Sequence, residues 1–225
     1  MALPRGVTVQ RIRIHFVKGE ELRFTGHLDL HKIWERTFRR AHLPLAYSQG
    51  FHPQPRIQLA CALPLGFTST AEMVDVWLDT AASSKDIERI LAATVQPGLA
   101  IESIESIPLN DTSLQNRVVS VVYRIDFLDP ADQSTLQNSI NLLLTRESAQ
   151  RERRGKTYDL RALVEDVSIL RLEPNTTIQL RLAARPGATG RPEEFLTEIG
   201  IDPYSVDIER IQIILSPLTE KAILP

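Results

Sequence analysis

The chain has 225 residues, 43% of them hydrophobic and 24% charged, with a formal net charge of -2, which excludes a disordered chain and is ample for one large or two small domains. Its single cysteine, Cys61, excludes an internal disulfide and any iron–sulfur cluster held by this chain alone, since such clusters need about four thiolates. Residues 1–6 carry no apolar leader and no run approaches the roughly 18 apolar residues of a membrane span, so the expectation is a cytoplasmic, membrane-free protein.

Val9 to Val17 alternates Ile12, Ile14 and Phe16 with Arg11, Arg13 and His15, the period of two of a half-buried strand with the charged side outward. Leu30, Ile33, Trp34, Thr37, Phe38 and Ala41 then share one face of a helix from about His27 to His42, with Thr25 or Gly26 as its cap. Leu43-Pro44 ends it, a loop with Pro53 and Pro55 follows, and a strand is expected from Arg56 to Ala62. Val74, Val76 and Leu78 mark another strand. Ser83 with Asp86 caps a helix carrying Ile87, Ile90 and Leu91, and Leu99 to Ile107 is a further strand. The order is βαββαβ.

The second half repeats it. Val119, Val121, Tyr123, Ile125 and Phe127 alternate, and Leu136, Ile140, Leu143 and Leu144 take helical spacing. Strands follow near Leu163 to Leu172 and Thr176 to Ala183 around the turn Glu173-Pro174-Asn175. Pro192 opens a helix with Phe195, Leu196 and Ile199 inside, and Val206 to Leu215 is the last strand. The expected fold class is therefore α+β, two tandem ferredoxin-like βαββαβ units with antiparallel sheets, one over residues 1–112 and one over 113–225, divided at the polar stretch Asn110 to Gln115.

Charge is segregated along the chain. Arg23 to Arg56 holds six basic residues (Arg23, Lys32, Arg36, Arg39, Arg40, Arg56) against Asp29 and Glu35, and four of the five histidines. Glu72 to Asp111 is acidic, and Arg146 to Arg161 is basic again, with Arg154, Lys156 and Arg161 near its end. Such asymmetry favours an anionic partner at defined surfaces. Lys32, Arg36 and Arg40 are spaced by four with Arg39 beside them, a stripe suited to phosphates or, more plainly, a solvated helix face. His27 and His31 share a face and can meet a metal only with a third ligand that no motif supplies; Asp29 in the first turn suits the helix dipole. The loop Tyr47-Ser48-Gln49-Gly50-Phe51-His52-Pro53-Gln54-Pro55-Arg56 combines two stacking rings, hydrogen-bonding side chains and stiffening prolines, features that suit a base or another planar ligand. A phosphate loop, a dinucleotide fingerprint and a cluster-binding cysteine triplet are all absent.

Arg23-Phe24-Thr25-Gly26-His27-Leu28-Asp29-Leu30, Arg36-Thr37-Phe38-Arg39-Arg40-Ala41, Tyr47-Ser48-Gln49-Gly50-Phe51 and Ala62-Leu63-Pro64-Leu65-Gly66 closely resemble the radical-SAM-linked protein family, whose biochemical function is undefined. Arg154-Gly155-Lys156, Asp159-Leu160-Arg161 and Arg191-Pro192 extend the likeness into the second half. The chain has Gly26 where the family usually has serine, and His52-Pro53-Gln54-Pro55 where the family reads asparagine-proline-histidine-proline. The resemblance implies a radical SAM protein as partner, holding the cluster that this chain does not bind.

The leading expectation is an accessory module that presents RNA to that partner. Lys32, Arg36, Arg39, Arg40 and Arg56 contact phosphates, with Arg154, Lys156 and Arg161 from the second basic stretch. Tyr47 and Phe51 stack, Ser48 and His52 hydrogen-bond, and His27 and Asp29 orient the loop or a ligand. One alternative is an RNA-processing enzyme using His27, His31 or His52 in acid–base or metal chemistry, and another is a scaffold that binds only the partner protein. No cofactor and no metal site are assigned to the chain.

Overall fold

The computed structural model describes residues 8–153, 155–172 and 175–217. They form two compact units, one running to Arg117 and resuming at Ser216, the other spanning Val118–Leu215. The chain passes from the first unit to the second between Arg117 and Val118. Arg154 and the expected turn residues Glu173 and Pro174 lie outside the described residues.

In the first unit β1 (Gln10–Lys18) is followed by α1 (His27–Arg40), β2 (Ile57–Leu59), β3 (Thr68–Leu78), α2 (Ser84–Ala92) and β4 (Leu99–Ile107). β1 pairs with both β3 and β4, and β2 pairs with β3, all antiparallel, so the strands lie in the order β4-β1-β3-β2. Ile12, Ile14 and Phe16 point to the helical side and are fully buried with Trp34 and Phe38 of α1. The Phe16 and Trp34 rings meet edge-on at 4.8 Å, and Trp34 stacks on Phe38 at 5.1 Å. Each such side chain contributes roughly 1.5 to 3 kcal/mol when taken from water. Gly26 is the N-cap of α1, and the helix stops where His42 adopts a left-handed backbone at φ 53° ahead of Leu43-Pro44. Ser83 caps α2 as expected, its Oγ accepting from Asp86 N at 3.1 Å. A short helix, α3 (Leu114–Arg117), closes this part of the unit. There Asp111 accepts from Arg117 at 2.9 Å, while Arg117 O accepts from Ser216 N at 2.6 Å and Arg117 Nη2 donates to Ser216 O at 2.9 Å.

The second unit contains β5 (Val118–Phe127), α4 (Gln133–Thr145), the hairpin β6 (Gln150–Arg153) and β7 (Lys156–Asp159), then β8 (Val164–Leu172), β9 (Asn175–Arg185), β10 (Ala188–Thr189), α5 (Pro192–Glu198) and β11 (Val206–Leu215). β5 lies between β11 and β9, β8 lies on the other side of β9, and every pair is antiparallel. The principal strands thus pair in the same sequence as in the first unit. Asp132 caps α4, accepting from Thr135 N at 3.0 Å and from the Ser134 and Thr135 hydroxyls. These bonds to its charged form hold its carboxyl down at about 2. Leu136, Ile140 and Leu143 of α4 and Phe195 and Leu196 of α5 are buried. The chain is therefore mixed α+β with mostly antiparallel strand pairing, and no helix among the described residues is long and apolar enough to cross a membrane.

Two local expectations are corrected. Arg11 and Arg13, read as the solvent side of β1, are 1% and 2% exposed. Both guanidiniums converge on the fully buried Asp75 of β3: Arg11 Nε and Nη2 lie 3.0 and 2.6 Å from Oδ2, Arg13 Nε lies 2.8 Å from Oδ1, and Arg13 Nη2 lies 3.0 Å from Oδ2. Arg11 also donates to the main-chain carbonyls of Asp111 and Thr112. Alternation separates the two faces of a strand but does not say that the polar face is wet; here it is dry and its charges are paired. The strand expected at Arg56 to Ala62 shrinks to Ile57–Leu59, since the chain leaves β3 once Ala60 N has bonded Met73 O at 3.0 Å.

Candidate functional site

The start of α1 is fixed by a clasp in the first unit. Lys18 Nζ, itself buried, donates to Arg23 O and Phe67 O; Arg23 Nε donates to Gly66 O at 2.7 Å, and Gly66 N returns a bond to Arg23 O at 3.0 Å. Gly66 has φ 85°, a backbone that favours glycine. The clasp leaves three large apolar side chains in solvent: Phe24 is 80% exposed, Leu28 75% and Leu65 62%. His27 is half-buried beside them, and His31 sets Nε2 3.4 Å from Ile57 O. Asp29 is exposed and pairs loosely with Lys32 at 3.6 Å. Among the described residues no three His, Cys, Asp or Glu side chains gather as a metal-holding group. Cys61 is half-buried.

One helical turn further on, Arg36, Arg39 and Arg40 line a cavity of about 390 Å3 with Ile33 and Gln96. Arg39 pairs with Glu35 at 2.8 Å. Arg40 Nη2 lies 3.3 Å from Thr94 O, a neutral acceptor that leaves its charge uncompensated. Arg36 has no hydrogen-bond or ion-pair partner among the described residues. Three guanidiniums against one carboxylate leave the concavity positive, the potential that draws an anion.

The Pro-rich loop is a stiff two-stranded finger. Tyr47 bridges Pro55, Ser48 N donates to Gln54 O at 2.8 Å, and Gln54 N donates to Ser48 Oγ at 3.0 Å. The Ser48 hydroxyl, expected to meet a ligand, thus staples the loop. At its tip Phe51 is wholly exposed, and His52 is exposed next to it. Arg56 lies with its Cζ 4.8 Å from the Trp77 ring, donating to Thr8 Oγ1 at 2.8 Å, and Arg11 sits against the same ring at 4.8 Å. Tyr47, 38% exposed, lines a second cavity of about 450 Å3 that also includes Asp79. The arginines of α1 and the Tyr47 ring therefore border two cavities in one unit rather than one, while the Phe51 ring borders neither.

The second basic stretch is engaged within its own unit. Arg146 and Arg151 both pair with Glu198, and Arg153 pairs with Glu194 at 2.7 Å while its Cζ sits 4.7 Å from the Tyr158 ring. Burial and the neighbouring Glu194 push the Tyr158 hydroxyl up. Arg161, expected on phosphate, donates to the Leu144 and Val164 carbonyls at 3.0 and 3.2 Å, while Asp159 accepts from Ala149 N and Arg161 N, bonds that hold its carboxyl down. Lys156 is exposed. The positive charge that this stretch shows in sequence is largely spent on α5 and on main-chain carbonyls.

Residues 11–192 match the model of a family described as "Uncharacterized protein conserved in bacteria (DUF2344)". The chain belongs to this family. The DUF2344 match takes in α1, the finger loop, both cavities and the second basic stretch. No curated protein matches the chain. Among solved structures, a chain of the "archaeal box H/ACA sRNP Nop10-Cbf5 complex" is similar at 9% identity and a TM-score of 0.43, covering 92% of this chain and 49% of that one. The chain thus spans about half the length of that protein.

Two lining residues, Asp79 and Gln96, escape sequence reading. Asp79 follows β3 and reaches the loop only because Asp79 N donates to Pro44 O at 2.9 Å, and Gln96 reaches α1 from the turn after α2. Neither belongs to a local motif, so only the folded pairing reveals them.

Proposed function

We propose that this DUF2344 chain is an accessory module, acting in the cytoplasm, that binds RNA and presents it to a radical SAM partner enzyme. The observation that carries the reading is the cavity where Arg36, Arg39 and Arg40 meet with a single compensating carboxylate. Guanidinium forks match phosphate oxygens in two-point hydrogen bonds, and a concave site strengthens them. The exposed rings of Phe51 and Tyr47 add stacking surfaces of the kind that hold unpaired bases. The repeated strand order of the two units supports reading each as a ferredoxin-like unit. The resemblance of the Arg23 to Gly66 motifs to the radical-SAM-linked family supports the choice of partner, which supplies the cluster thiolates that one cysteine does not.

The test is fluorescence anisotropy of a labelled single-stranded RNA against the whole chain over a salt series. Three phosphate contacts by the cavity arginines give a slope of log affinity on log salt of about -2, and Arg36→Ala lowers its magnitude by about 0.7. Binding that is flat in salt, or a slope untouched by Arg36→Ala, refutes this site as the RNA contact.

The exposed cluster of Phe24, Leu28 and Leu65 favours a second reading, in which the chain docks on the radical SAM partner and on nothing else. Under it, co-purification of the partner survives nuclease treatment, is lost on Phe24→Ser with Leu65→Ser, and yields no RNA.

A further inference from the structure

The loop cavity of about 450 Å3 falls within the roughly 300–1,000 Å3 of small-ligand sites, yet phosphate binding does not explain it: its one charged lining residue is Asp79. Leu45, Ala46 and Pro53 give it apolar surface and Tyr47 an aromatic wall. Those walls are pinned by the main chain. Ala46 N donates to Trp77 O at 2.8 Å, Leu45 bridges Leu78, and Asp79 N donates to Pro44 O at 2.9 Å. The two segments that carry the ring and the carboxylate are therefore fixed before any ligand arrives, and both residues line the one cavity, which lowers the ordering cost of binding.

The chemistry of the two groups is complementary to one kind of ligand. A ring stacks on any planar base, but a carboxylate only accepts hydrogen bonds, and it has about four lone-pair sites. Asp79 Oδ1 takes the Thr80 hydroxyl at 3.0 Å, so acceptor capacity remains. Guanine is the RNA base whose Watson–Crick edge carries two adjacent donors, N1–H and the N2 amino group. Adenine and cytosine place a bare ring nitrogen next to their amino group, and uracil flanks its N3–H with carbonyl oxygens, so each sets a lone pair against the carboxylate. The attached phosphate is repelled by Asp79 but has a counter-charge nearby: Arg56 N bonds Ala46 O at 2.9 Å, and the Arg56 side chain is exposed.

We infer that the cavity bounded by Tyr47 and Asp79 is a base subsite selective for guanine in unpaired RNA. The inference rests on the RNA-binding reading above and adds the identity of the base. A second cavity lined by arginines in the same unit then serves the backbone, while this one reads sequence, the division of labour usual in nucleic-acid recognition.

The experiment is equilibrium binding of the full chain to four labelled single-stranded RNAs, each a uridine tract with G, A, C or U at the central position. Asp79→Asn and Tyr47→Leu are measured alongside, with circular dichroism as the check on folding. Central guanine is expected to bind about tenfold or more tighter than the other three, the range of a good two-point base contact. In Asp79→Asn that ratio falls to about one, and Tyr47→Leu weakens all four sequences. Equal affinity of the wild type for the four RNAs overturns guanine selectivity and leaves the RNA reading standing. A guanine preference that persists in Asp79→Asn overturns the assignment to this cavity. No binding to any of the four overturns both readings.

Discussion

Replacing Asp75 with asparagine tests the buried charge cluster of the first unit. Asp75 accepts four N–H bonds from two guanidiniums that are themselves almost fully buried. The amide keeps the shape but removes the negative charge and turns one acceptor into a donor facing N–H groups. Breaking one buried ion pair from one side costs about 3–5 kcal/mol, because the remaining charge is left unpaired in a poorly polarisable interior. Two stranded arginines put the expected loss at the upper end, against roughly 5–15 kcal/mol for a domain of this size. At a urea slope of about 2 kcal/mol/M, the unfolding midpoint drops by about 2.5 M. Both tryptophans, Trp34 and Trp77, lie in the first unit, so tryptophan emission, excited selectively over tyrosine, follows that unit alone. Glu105→Gln is the control: it sits 3.9 Å from Arg13 but is half exposed, and a surface pair of this kind is worth less than about 1 kcal/mol. A midpoint shift below about 0.5 M for Asp75→Asn, or one no larger than that of Glu105→Gln, refutes the reasoning.

Phe51→Ala, at a ring with no packing role, is expected to weaken RNA binding by about 1–3 kcal/mol while leaving the urea midpoint unchanged, as read by anisotropy and fluorescence together. Arg161→Ala is expected to behave oppositely: it strands two carbonyls, lowers second-unit stability by roughly 1–3 kcal/mol in thermal circular dichroism, and leaves RNA affinity within about twofold. Asp132 is expected to titrate by carboxyl 13C NMR near 2, well below its ordinary value. Because its folded-state value is depressed, the stability it contributes is complete above about pH 4 and is lost as pH falls through about 2; Asp132→Ala removes that pH dependence.

The elements with a strong apolar period could be read directly from sequence. β4 and β11 fall at their expected bounds, α1 ends two residues early, and Ser83 and Pro192 start their helices as read. The β6–β7 hairpin gives no such signal, since its strands are Gln150–Arg153 and Lys156–Asp159, charged segments held by ladder bonds and by the acidic residues of α5. The same blindness explains the site. The spacing of Arg36, Arg39 and Arg40 on a helix is visible, and so is their shared face. That Arg161 is consumed by carbonyls, that Ser48 staples its own loop, and that Asp79 and Tyr47 line one cavity all depend on how the chain folds back on itself.

The return of the chain to Arg117 at Ser216 bears on how the protein is made. The residue that completes the first unit's contact is translated after the whole of Val118–Leu215. At about 5–20 residues per second, the guanidinium of Arg117 waits roughly five to twenty seconds for that carbonyl. On the ribosome, then, the unit begun first is the one finished last.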